Sequence, residues 1–176
     1  KQASHKGLRV AGAKISGVAA LRDTLNMQDH GALVTASFLD CGLPSTANMA
    51  DLAPIARSLI NHLNGFEPDL IVAELGDGIV GGYSVETVLN DRPLREAITT
   101  FVFCAADYVS VIGGSSVLKG YDIKIDVVAG SVTDSQMGGD FIETTLGLPA
   151  GNARRNGERL FDLVTKDLNI AVRSNA

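Results

Sequence analysis

The stretch Leu70-Ile71-Val72-Ala73-Glu74-Leu75-Gly76-Asp77-Gly78-Ile79-Val80-Gly81-Gly82 is a short apolar run that ends in a carboxylate and passes into a glycine-rich turn. An unbroken apolar run of this length predicts a strand buried on both faces. In open α/β sheets ligands bind outside the carboxyl ends of such strands, so the chemistry of this chain is expected to begin at Glu74. A carboxylate that closes a buried strand is costly unless it is paired, hydrogen-bonded or metal-bound. The glycines alone say less, because glycine also serves tight turns and close packing.

Outward from this stretch, strand-like and helix-like patterns alternate. Towards the amino end, Leu8 to Ile15 reads as a small-residue-rich strand, Val18 to His30 as a helix closed by Gly31, and Leu33 to Phe38 as a further strand. Leu52, Ile55, Ala56, Leu59, Ile60 and Leu63 recur at helical spacing, with Asp51 placed to cap and Pro54 tolerated in the first turn. Towards the carboxyl end, helices are predicted at Ser84 to Asn90 and Leu94 to Ala106, although Thr99 to Val102 has strand propensity. Strands follow at Tyr108 to Ile112 and Ile125 to Ala129, then helices around Gln136 to Leu146 and at Gly157 to Asp167, the last capped by Asn156. Strands alternating with helices imply βαβ units. The expected fold is α/β and three-layered, a mainly parallel sheet flanked by helices.

At 176 residues and 45% hydrophobic content, the chain is read as one domain with a single core. Its net charge of −5 argues against non-specific attraction to nucleic acid or an anionic membrane. No apolar segment approaches a membrane span and no signal-peptide pattern opens the chain, so a cytoplasmic protein is expected. Cys41 and Cys104 lack a C-x-x-C partner and read as reduced thiols. Lys1 to Gly7 reads as the basic last turn of a helix followed by a glycine stop, which implies preceding residues.

Several catalytic patterns are missing. Gly82-Tyr83-Ser84-Val85-Glu86 and Gly114-Ser115-Ser116-Val117 lack the last glycine of a G-x-S-x-G nucleophile elbow. His5, His30 and His62 have no metal-ligand spacing. No G-x-G-x-x-G joins an opening strand to a helix, so a nicotinamide-binding reading has no support.

In order, the chain presents a basic helix end, a strand closing in A-x-K, an Asp-bearing segment, a strand closing in Glu before a Gly-rich turn, and a later strand leading into a polar turn. From Leu8 to Asn152 this order resembles the dethiobiotin synthetase and cobyrinate-amidase-like branch of the P-loop NTPases. The resemblance implies that Lys14 faces phosphate or substrate as the catalytic lysine, and that Asp23 and Glu74 help to hold Mg²⁺. Asp29 and Asp40 are alternatives to Asp23. The family's E-G-x-G-G turn stands here as Glu74-Leu75-Gly76-Asp77-Gly78, with Leu75 in place of a glycine, which assigns Gly76 and Gly78 to the cofactor. Thr133 and Asp134 fall where the family recognises the base, and Asp134 has a second reading as a helix cap. Arg154, Arg155 and Arg159 read either as contacts to a phosphate or acidic substrate or as a solvated basic face.

The family's phosphate loop, G-x-x-x-x-G-K-S/T, occurs nowhere in the 176 residues. The resemblance therefore implies the core of an ATP- and Mg²⁺-dependent, carboxylate-activating ligase that is incomplete without an upstream strand, phosphate loop and part of a helix. Its expected partner is a small acidic molecule, with no nucleic acid or membrane partner and with a homo-oligomer left open. Nucleotide-dependent amidation is a second enzymatic reading. A nucleotide-sensing or scaffolding module is the non-catalytic one.

Overall fold

The structure, a computed structural model, describes residues 1–168. These fall into two compact units, one built on Ala3–Ala97 and the other on the described residues from Ile98 onward.

The first unit holds helix α1 (Gln2–His5), strand β1 (Val10–Ser16), helix α2 (Leu21–Asp29), strand β2 (Val34–Ser37), helix α3 (Ala53–Asn64), strand β3 (Leu70–Leu75) and the short helices α4 (Val85–Asn90) and α5 (Arg92–Ala97). Its sheet has the order β2-β1-β3, and both pairings are parallel. All seven residues of the central strand β1 are buried. The pattern does not alternate because helices cover both of its faces. On one face, Ala11, Ala13 and Ile15 pack with Ala53, Ala56, Leu59 and Leu63 of α3, where a fully buried leucine contributes about 1.5–3 kcal/mol. On the other, α2 comes so close that a Cβ on Gly12 would lie 3.2 Å from Met27 Cβ and 3.3 Å from Thr35 Cγ2. Small residues in β1 thus set the distance between layers. Pro54 lies in the first turn of α3 as expected, and Asp51 Oδ1 accepts from Ala53 N at 2.9 Å.

The second unit contains strand β4 (Val102–Cys104), helix α6 (Tyr108–Lys119), strand β5 (Val127–Ala129) and helices α7 (Gln136–Thr144) and α8 (Gly157–Thr165). Strands β4 and β5 pair in parallel, and a parallel bridge joins Val128 to Ala150. Asn156 caps α8 by accepting from Arg159 N, as its sequence position suggested. No helix among the described residues is long and apolar enough to cross a membrane.

The structure shows an α/β chain with a small parallel sheet flanked by helices, and it corrects several local expectations. Tyr108–Ile112 is the first part of α6, not a strand. Asp107 accepts from Ser110 N at 2.7 Å and starts the helix, overriding the strand propensity of Tyr108, Val109 and Val111. The helix expected over Leu94–Ala106 stops at Ala97, and residues 102–104 form β4. There the backbone N–H of Phe101 is taken by Asp126 Oδ2 at 2.8 Å, which delivers the chain to β5.

The most consequential correction concerns Leu70–Glu74. It is a strand, but among the described residues it pairs only with β1 and lies at an edge, where Val72 is 50% exposed and Ala73 and Glu74 are also exposed. The apolar run is therefore not buried on both faces. Hydrogen bonding links three of the named strands within the first unit and two within the second.

Candidate functional site

Parallel pairing brings the carboxyl ends of β1 and β3 to the same edge of the sheet, with Lys14 opposite Glu74. Beyond this pair the register shifts, and Ser16 pairs with Leu75. Lys14 Nζ donates to Glu74 Oε1 at 2.7 Å and lies 3.1 Å from Asp23 Oδ2. Asp23 is presented from the first turn of α2. Sequence positions that are nine residues (Lys14 to Asp23) and 60 residues (Lys14 to Glu74) apart thus converge on one ammonium.

Of the alternatives to Asp23, Asp40 is committed elsewhere, accepting from Ser37 N at 2.7 Å in a capping box, and Asp29 is an exposed residue at the end of α2. Neither pairs with Lys14 in the structure.

Burial falls on Lys14, which is 7% exposed, while the Glu74 side chain keeps 44% of its surface. The group that needs compensation is therefore the lysine. Burial by itself pulls the Lys14 ammonium down. Hydrogen bonds to Glu74 and Asp23, with their charges, outweigh it and hold the group above its ordinary value.

Gly76 has a steric role at this point. A Cβ there would collide with Lys14 Nζ and sit 2.7 Å from both Lys14 Cε and the Ser16 carbonyl oxygen. Ser16 Oγ donates to Gly76 O at 3.1 Å and fixes the approach. Asp77, at φ +62°, accepts from Val18 N through Oδ2 at 3.1 Å. Gly78 follows at φ +90°, a region open to glycine without strain. Thr46 completes the lacing, accepting from Gly17 N at 3.0 Å and donating to Tyr83 O at 2.9 Å. Asp77 and Thr46 escaped the sequence reading. The aspartate between two glycines was a visible signal for a left-handed turn, whereas nothing local marks Thr46.

Two carboxylates converging on one point match the number that Mg²⁺ takes from protein, and as hard oxygen donors they suit it. Lys14 Nζ takes Asp23 Oδ2 and Glu74 Oε1, and Asp23 Oδ1 lies 3.7 Å from Arg22 Nε, so both oxygens of Asp23 face a cation and a metal would have to displace them. No group of three or more His, Cys, Asp or Glu side chains suited to a metal occurs among the described residues.

In the second unit, Thr133 is 7% exposed, and its hydroxyl donates to Gly130 O at 2.7 Å and accepts from Asn152 Nδ2 at 3.0 Å. Asn152 Nδ2 also donates to Asp134 Oδ1 at 2.8 Å, while its Oδ1 accepts from the backbone N–H groups of Arg154 and Arg155. Ser135, not Asp134, caps α7 by accepting from Gly138 N. Arg159 pairs with Glu143.

Neither a protein-family model, nor a curated protein, nor a solved structure matches this chain.

Proposed function

We propose that the first unit is the metal- and substrate-side half of a P-loop NTPase-like site in an ATP-dependent, carboxylate-activating ligase, completed by a phosphate-binding loop from outside the 176 residues. The observation that carries this reading is the convergence of Lys14, Asp23 and Glu74 at the carboxyl edge of a parallel sheet. In this reading Asp23 and Glu74 would hold Mg²⁺ once Lys14 and Arg22 turn away from their oxygens, and the ion would neutralise charge on the nucleotide phosphates. Lys14 swings from its carboxylate partners towards an incoming anion and stabilises charge on the transferring group or aligns a small acidic substrate. Gly76 and Gly78 let backbone come near the nucleotide, and Thr133 and Asp134 contribute at its base. One edge of β3 pairs with nothing among the described residues and would offer backbone donors and acceptors to a further strand. In this reading the protein works in the cytoplasm on small molecules, and its net charge of −5 disfavours non-specific attraction to nucleic acid.

The test is a calorimetric titration of Mg²⁺-ATP into the 176-residue chain and into a polypeptide extended upstream of Lys1, with phosphate release measured in parallel. The extended chain should bind Mg²⁺-ATP and hydrolyse it, the shorter one should bind weakly or not at all, and Glu74→Gln should lower hydrolysis while the fold is retained. An extended chain that ignores nucleotide, or whose hydrolysis survives Glu74→Gln, sinks the enzymatic reading in favour of a scaffolding role.

A further inference from the structure

A cleft lies wholly within the second unit, between α7 and the segment that leads into α8, with a volume of about 390 Å³. That falls in the range of small-molecule sites, about 300–1,000 Å³. Its lining includes two carboxylates from α7, Asp140 and Glu143, and two guanidinium groups from the other side, Arg155 and Arg159. Arg159 pairs with Glu143, which also accepts from Ala150 N at 3.3 Å, so one charge of each sign is consumed within the wall. Asp140 and Arg155 form no ion pair among the described residues. The cleft therefore presents one unpaired anion and one unpaired cation. Arg155 is not on a loose loop, because its backbone N–H donates to Asn152 Oδ1 at 2.8 Å, and Asn152 is anchored to Thr133 and Asp134.

We propose that this cleft binds a small zwitterion, an α-amino acid whose carboxylate is held by Arg155 and whose ammonium is held by Asp140. A guanidinium fork matches a carboxylate in a bidentate pair. A ligand carrying only a negative charge would meet Asp140 as a like charge, and one carrying only a positive charge would meet Arg155. An amino acid satisfies both and is selected against either partial analogue. Gln136 also lines the cleft, and its amide suits a polar side chain on the ligand. This site uses none of Lys14, Asp23 or Glu74, but Thr133 lines it, so it competes with the nucleotide reading for Thr133, and displacement by adenosine tells the two apart.

The test is calorimetry on the 176-residue chain with L-alanine and L-glutamine, and with propionate and ethylamine, which each keep one of alanine's two charges. Both amino acids should bind and both analogues should fail. Arg155→Gln and Asp140→Asn should each weaken amino-acid binding by about tenfold or more, as expected for the loss of a charge-assisted contact. Both positions are exposed, and an unchanged circular-dichroism melt verifies that the variants fold. The proposal is overturned if neither amino acid binds, if propionate binds as well as alanine, if the variants bind like the parent, or if adenosine displaces the amino acid.

Discussion

Gly76→Ala tests whether the Lys14 cluster is built on a steric near-contact. A methyl group at this position would meet a backbone carbonyl, Ser16 O at 2.7 Å, as well as Lys14 Cε at the same distance. The lysine could rotate away, but only by giving up Glu74 and Asp23. The carbonyl belongs to β1, whose residues are all buried, so it has no freedom to move alone. Either response destabilises: overpacking a tight site costs about 1–3 kcal/mol, and a buried ammonium stripped of partners adds to that. For a chain of this length the loss corresponds to a melting midpoint lower by roughly 2–12 °C. Thermal denaturation followed by circular dichroism at neutral pH measures it. Gly139→Ala is the matched control, since Gly139, like Gly76, lies outside the left-handed region, and nothing lies within 4 Å of its would-be Cβ. A Gly76→Ala midpoint equal to that of the parent, or no lower than that of Gly139→Ala, would refute the argument.

Adjacent glycines in α6 should respond in opposite directions. Gly113→Ala has open space and should stabilise the helix by about 0.5–1 kcal/mol, whereas Gly114→Ala would drive a methyl into the Phe103 ring and should destabilise by about 1–3 kcal/mol. Urea denaturation distinguishes them, and like signs would contradict the packing. The ion pairs of Lys14 make a prediction at high pH. Because its folded-state value is raised, their stabilisation is fully present below the ordinary lysine value and is lost as pH rises through the higher one. Stability should begin to fall above about pH 10, and Lys14→Met should remove that component; an identical alkaline profile in the variant would show that the pairs contribute nothing.

The parts of the fold that were legible in the sequence are those where local pattern and tertiary context agree. Leu52 to Leu63 carries its helical spacing directly into the buried face of α3, and Asn156 caps α8 from its position alone. The failures have a common cause. Tyr108-Val109-Ser110-Val111-Ile112 is strand-like by composition, yet one hydrogen bond, donated by Ser110 N to the Asp107 carboxylate, commits it to a helix. Thr99 to Phe103 shows the reverse error, since an apparent helix continuation gives way to pairing with a strand more than 20 residues further on. In the candidate site, Lys14 and Glu74 were visible as polar residues closing apolar strands. Their pairing depended on register, which no single strand encodes, and the choice of Asp23 over Asp29 or Asp40 depended on the direction in which α2 leaves β1.

Glu74 and the edge on which it sits bear on one another. The run Leu70-Ile71-Val72-Ala73 has the composition of an interior parallel strand, yet Val72 is half exposed and one side of β3 pairs with nothing among the described residues. An apolar parallel strand with a free edge is a site for strand addition. Any strand laid parallel along it would cover Val72 and Ala73 and would end beside Glu74, because parallel neighbours share their carboxyl edge. Whatever loop followed that strand would face the Lys14–Asp23–Glu74 cluster. The exposed edge and the exposed carboxylate are thus two aspects of one arrangement, in which the only fully compensated member is the buried lysine. That ordering predicts that a partner strand should change the surroundings of Glu74 far more than those of Lys14. Carboxylate chemical shifts recorded with and without the added strand would measure the difference.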